Sequence, residues 1–131
     1  MSQQAIFLKT FNTQFEAFLN DINDVFPNNT ALIKTRNSLL TLKKFNPKLL
    51  IGVWYDYIWS PYKEDIENEN IDFFITKDYS QDLQYMEDAK QIMTEIDNFR
   101  KPISEMDDTN RGHCMKYIKN LSLLSERYKN N

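Results

Sequence analysis

The sequence predicts an all-α fold: one compact helical bundle of about five main helices plus short helical turns, spanning residues 1–131 as a single domain. Three observations lead there. Two glycines and four prolines are too few for the many tight turns of a β-sandwich or barrel. Apolar residues recur at steps of three and four in several separate stretches, the period of an amphipathic helix. The length suits one domain, able to bury roughly two-thirds of the unfolded chain's surface around one core. A hydrophobic content of 41% with 14% aromatics argues against disorder.

Phe7, Phe11, Phe15, Phe18, Leu19, Ile22 and Phe26 form the first stripe, with Glu16, Asn20 and Asp21 off it, so a helix is expected from about Ala5 to Val25. Pro27 ends it, because proline disfavours helical geometry in the residue before it. Asn28-Asn29-Thr30 is a turn and cap. A second helix is expected over about Ala31 to Lys44, with Leu32, Leu39, Leu42 and Phe45 facing one way and Ile33 and Leu40 beside them. Lys34, Arg36, Asn37, Lys43 and Lys44 are more outward, and the last two lysines suit the negative end of the helix dipole.

The stretch from Asn46 to Tyr62 holds both tryptophans, three tyrosines and the longest apolar run. Its Val, Ile, Trp and Tyr residues suit a strand, but it is longer than a buried strand of about 4 to 8 residues. Asn46-Pro47 has the pattern of an N-cap followed by proline at the first helical position. A helix of about three turns is therefore expected, with Leu50, Val53, Trp54, Tyr57 and Ile58 on one face. Gly52 weakens it, while letting a neighbouring element approach closely. Ser60-Pro61 repeats the start signal, and Tyr62 to Glu69 reads as a short helix running on from the aromatic one. Asn68 to Asn70 is a break, and Ile71, Phe73, Phe74 and Ile75 form an apolar cluster that is either one helical turn or a short extended piece.

Ser80 is a good N-cap with Asp82 in the first turn. Leu83, Met86, Ala89, Met93, Ile96 and Phe99 give the next stripe, ending near Lys101 before Pro102. Ile103 to Asn110 is a connector with room for a turn of helix. Asp108 or Thr109 is expected to cap the last helix, whose Cys114, Tyr117, Leu121, Leu124 and Tyr128 alternate by three and four with Ile118 alongside. Arg127 and Lys129 sit at its C-terminal end, where cations are favoured.

Composition also excludes several classes. Cys114 is the single cysteine, so no intrachain disulfide forms. No apolar run reaches the ~18 residues of a membrane span, and Met1-Ser2-Gln3-Gln4 is not the start of a signal peptide, so an intracellular, reduced setting is expected. The sequons at Asn28 and Asn120 then carry no meaning. No metal site is expected: His113 and Cys114 are adjacent and point about 100° apart on a helix, too far to share an ion, and the same geometry disfavours a nucleophilic pair. The acidic run from Asp65 to Asn70 lacks the glycine and the closing Glu of a calcium loop. Neither a glycine-rich phosphate loop nor a nucleophile elbow is present, so no cofactor is expected and the chain does not read as an enzyme.

The formal charge of −3 is unevenly spread. Residues 31–63 carry six cations against one carboxylate, whereas residues 64–108 carry four cations against fourteen carboxylates. Lys34, Arg36, Lys43, Lys44 and Lys48 therefore form a basic stretch suited to an acidic partner, or alternatively to nucleic acid, with lysines on phosphates and exposed rings on bases. The low pI of 5.2 argues against nucleic acid, and pairing of these cations with the acidic 64–108 segment, of the same molecule or of a neighbour, is the favoured expectation. Most of these rings are expected in the core, but Trp54, Tyr55, Tyr57, Trp59 and Tyr62 cover most of a helix circumference, more than one bundle face hides, so rings left at the surface, with Trp54, Tyr55, Trp59 and Tyr62 as candidates, are the expected partner-binding anchors, for another protein or a second copy.

The phenylalanine stripe of Phe11 to Phe26, the Asn46-Pro47-Lys48 junction, Trp54-Tyr55 through Pro61-Tyr62 and the run Lys116 to Leu121, together with the richness in Asn, Lys and Ile, resemble small helical proteins encoded by large DNA viruses of eukaryotes. The resemblance implies a setting, an infected cell's cytoplasm or a virion, and carries no catalytic or binding residues over.

Overall fold

The computed structural model describes residues 2–76 and 87–131, and among these the only regular structure is helical. Helix α1 spans Gln3–Val25, α2 Thr30–Phe45 and α3 Leu49–Trp54, which passes through a π turn at Tyr55–Trp59 into α4, Ser60–Glu67. Short α5, Asp72–Thr76, precedes α6, Glu87–Asp97, and α7, Arg100–Ser104, precedes the long α8, Asp108–Asn130. The all-α expectation holds, and of the apolar cluster Phe73, Phe74 and Ile75 lie in helix α5 with Ile71 in the turn before it. The expected cap at Ser80 and the apolar positions Leu83 and Met86 lie outside the described residues.

Local chemistry explains most boundaries. The Ser2 side chain accepts from the Ala5 N–H and Asn29 accepts from the Leu32 N–H, each satisfying an orphan donor at a helix start. Asp107 caps α8 by accepting from the Asn110 N–H at 2.8 Å, one residue before the expected Asp108. The Asn46-Pro47 pair does not start a helix. Asn46 is the C-cap of α2, its side chain accepts from the Lys48 N–H, and α3 begins at Leu49. That turn is pinned to α1, where Asn12 Nδ2 donates to the Pro47 carbonyl at 3.0 Å. The break after α4 carries Glu69 at φ 55°, a left-handed residue that ends the helix. Pro102 lies in the first turn of α7, where its missing N–H leaves no intrahelical bond unmade.

Helices α1 and α8 pack antiparallel along most of their length. Gln4 Nε2 donates to the Tyr128 carbonyl at one end, and the Tyr117 hydroxyl donates to Asp21 toward the other. The aromatic segment lies against this pair, while α2 and α3 carry α6. One hydrophobic cluster joins them: Phe11, Phe15, Phe18 and Ile22 from α1, Leu39 from α2, Ile51, Trp54 and Ile58 from the aromatic segment, Ile92 and Met93 from α6, Ile118 and Leu121 from α8. Arg100 clamps α5 by donating to the Phe74 and Ile75 carbonyls at 2.9 and 3.3 Å, satisfying groups left open at that helix's end.

Candidate functional site

Of the four rings expected as surface anchors, the structure encloses both indoles and leaves only Tyr55 and Tyr62 partly exposed, so the tryptophans belong to the core. Trp54 and Trp59 are 2% and 1% exposed. The Trp54 indole meets Phe11 and Phe15 edge-on at 6.2 and 6.1 Å, and its Nε1 donates to Ser122 Oγ at 2.9 Å. Trp59 Nε1 donates to Glu126 Oε2 at 2.6 Å, and Lys63 Nζ lies 5.5 Å from the Trp59 ring. Tyr55 and Tyr62 are partly buried, the first beneath Lys129 Nζ at 5.6 Å and the second against Phe73 at 5.5 Å.

The physical reason is the π turn. In an α-helix, residues five apart point about 140° from one another, so Trp54 and Trp59 should occupy different faces. Here the Ser60 N–H reaches back to the Tyr55 carbonyl, an i→i−5 bond that places one extra residue in the turn. Residues five apart then fall near one side. Both indoles consequently address one stripe of α8, where Ser122 and Glu126 are four residues apart. Ser122 is itself satisfied by donating to the Ile118 carbonyl, and Ser125 donates to that of Ser122, so both buried hydroxyls are paired.

The basic stretch divides in two. Lys43 pairs with Glu16 at 3.1 Å, and Arg36 Nε donates to Asn20 Oδ1 at 2.6 Å, so these two tie α2 to α1. Lys34, Lys44 and Lys48 are exposed and form no ion pair among the described residues. Between Lys44 and Lys48 stands Phe45, 82% exposed and far more open than any other large apolar side chain described. The sequence places Phe45 on the inward face of α2, but it is that helix's last residue. The chain turns away at Asn46-Pro47, and no described element returns over the ring. Proximity to Asn46-Pro47 was the signal that the inward stripe stops short of position 45.

A second feature joins residues that sequence reasoning left apart. A cleft of about 250 Å³ opens between the C-terminal turns of α1 and the N-terminal half of α8. Phe18, Ile22, Met106 and Cys114 give it an apolar floor, with Asp21, Asp24, His113 and Tyr117 around the mouth. The Asp21 carboxylate accepts from the Tyr117 hydroxyl at 2.5 Å. That bond, with some desolvation and the carboxylate charge, pushes the Tyr117 phenol up to about 12. Burial, and then the charge of Asp21, pushes the Cys114 thiol up to about 12. Burial therefore favours the protonated thiol, which lies 3.6 Å from Met106 Sδ. His113 is exposed while Cys114 is buried.

No group of three or more His, Cys, Asp or Glu side chains among the described residues is placed to hold a metal ion, and no described helix is long and apolar enough to cross a membrane. Comparison with protein-family models, curated proteins and solved structures finds no match to this chain.

Proposed function

We propose that this protein is a non-enzymatic interaction module that docks an acidic surface of a protein partner at the tip where α2 turns into α3. The observation that carries this is Phe45, almost wholly in solvent and flanked by lysines without carboxylate partners among the described residues. Enclosing a phenylalanine side chain contributes about 1.5–3 kcal/mol. Lys34, Asn37, Thr41 and Lys44 recur at helical spacing and are all exposed, so the cationic stripe extends along α2 from the same tip. An apolar anchor ringed by one sign of charge suits a partner with a hydrophobic socket and acidic rim. The viral resemblance adds a setting, an infected cell's cytoplasm or a virion.

Photo-crosslinking from position 45, with mass spectrometry of the adduct, identifies the occupant. The expected adduct is an acidic protein whose recovery drops in Lys44→Glu/Lys48→Glu. Once that partner is known, Phe45→Ala should weaken binding by about tenfold or more, the worth of the buried ring. A second copy as occupant would show as a concentration-dependent mass that Phe45→Ala abolishes. No adduct, or one indifferent to charge reversal, overturns the proposal.

An exposed ring beside lysines also suits a base stacked over a phosphate backbone, which keeps nucleic acid as the second reading. Salt-sensitive retardation of single-stranded DNA or RNA, lost in Phe45→Ala, would assign the tip to that partner instead.

A further inference from the structure

We propose that the cleft between α1 and α8 binds a small organic cation, a primary ammonium carried on a compact aromatic or alkyl body. Its volume of about 250 Å³ lies below the ~300–1,000 Å³ of pockets that enclose drug-sized ligands, so the body is small. The floor is apolar, and the protonated Cys114 thiol adds no charge to it. Phe18 of the floor and Tyr117 of the mouth are stacked with ring centroids 5.1 Å apart, so the aromatic pair adds apolar surface for the ligand's body.

The mouth supplies the charge. Asp21 and Asp24 both line it, and neither is paired with a cation among the described residues. The partner of Asp21 is the neutral Tyr117 hydroxyl. Both carboxylates lie in the last two turns of α1, where the helix dipole is already negative and cations are the stabilising residues. No basic residue occupies that last turn. Three sources of negative potential thus converge on an apolar recess. On the α8 side, His113 stands at the mouth and Lys116 lines the neighbouring concavity, and neither forms an ion pair with Asp21 or Asp24 among the described residues. A ligand ammonium on Asp21 and Asp24 provides the missing counter-charge while its apolar body covers the floor.

The test uses 2-phenylethylammonium as probe, with 2-phenylethanol and 3-phenylpropanoate as neutral and anionic counterparts, titrated into the full chain and followed by amide chemical shifts. Saturable shifts are expected at residues 18–25 and 106–117 with the ammonium. The alcohol should bind about ten- to a hundredfold more weakly, the worth of a charge-assisted hydrogen bond, and the carboxylate not at all. Asp21→Asn and Asp24→Asn should each weaken the ammonium, with Asp24→Asn leaving the Tyr117 hydrogen bond in place as the control for folding. N-acetyl-lysine methylamide separates the two sources of this chemistry: competition at equal affinity assigns the site to a peptide lysine, and weaker binding assigns it to a free amine. Equal binding of alcohol and ammonium, no saturable shift, or indifference to both substitutions overturns the proposal.

Discussion

At position 52 a glycine sits inside a helix without steric need. A Cβ added there would meet nothing within 4 Å, so the close approach expected of Gly52 is absent. Its backbone is helical and its φ is not positive, so alanine fits the native conformation. Gly52→Ala should therefore stabilise the fold by about 0.5–1 kcal/mol, chiefly by restricting the unfolded chain. Thermal unfolding followed by circular dichroism would show a rise of a few degrees, and an unchanged or lower midpoint would mean the π turn three residues on requires backbone freedom at this site. Phe45 is the opposite case, a residue whose type fits a core and whose place does not. Its neighbour Lys43 bonds to Glu16 beside the core while Phe45 projects outward, an inversion that helical periodicity alone cannot show.

At the scale of elements, the stripes of α1, α2 and α8 were legible because long amphipathic helices repeat their pattern many times. Phe11, Phe15, Phe18, Leu19 and Ile22 are all buried as the period demands. The aromatic segment was legible as a helix but not as a face, because the i→i−5 bonding of the π turn re-registers everything after it and leaves no mark in composition. The buried serines of α8 were missed for a related reason, since Ser122 and Ser125 are polar by type and satisfied only through helix carbonyls and an indole from another element. The candidate sites were less legible still: the basic stretch was visible, but Phe45 as its apolar centre depends on where the chain turns, and the cleft depends on α1 meeting α8. The π turn is secured by its bond to α8, so Glu126→Ala, which strands the Trp59 indole N–H inside the protein, should cost about 1.5–3 kcal/mol. Glu126→Gln, which keeps an acceptor, should cost less. Urea unfolding gives both values, and equal losses would show that the carboxylate's charge rather than its acceptor atom holds the turn.

For the whole molecule, the decisive contact is the antiparallel seam that brings the two longest helices together, and its chemistry predicts how stability responds to alkali. Cys114 and Tyr117 both lie on it, and each is held near 12 in the folded chain, against ordinary values of 9.0 and 10.0. For both groups the native state favours the protonated form. Their contribution is complete below the unfolded values. Above about pH 9 for the thiol and about pH 10 for the phenol, the unfolded chain releases its protons first. From there the unfolded state binds fewer protons than the folded one, so stability falls with rising pH and is lost through about pH 12. Asp21 is a cause of both shifts, by its hydrogen bond to Tyr117 and by its charge near Cys114. Asp21→Asn should therefore flatten the alkaline decline, whatever offset it produces at neutral pH. Melting temperatures measured from neutral to strongly alkaline pH, with phenolate absorbance recorded alongside, should fall more steeply for the wild type than for the variant. Parallel curves would mean that Asp21 does not govern the two protons.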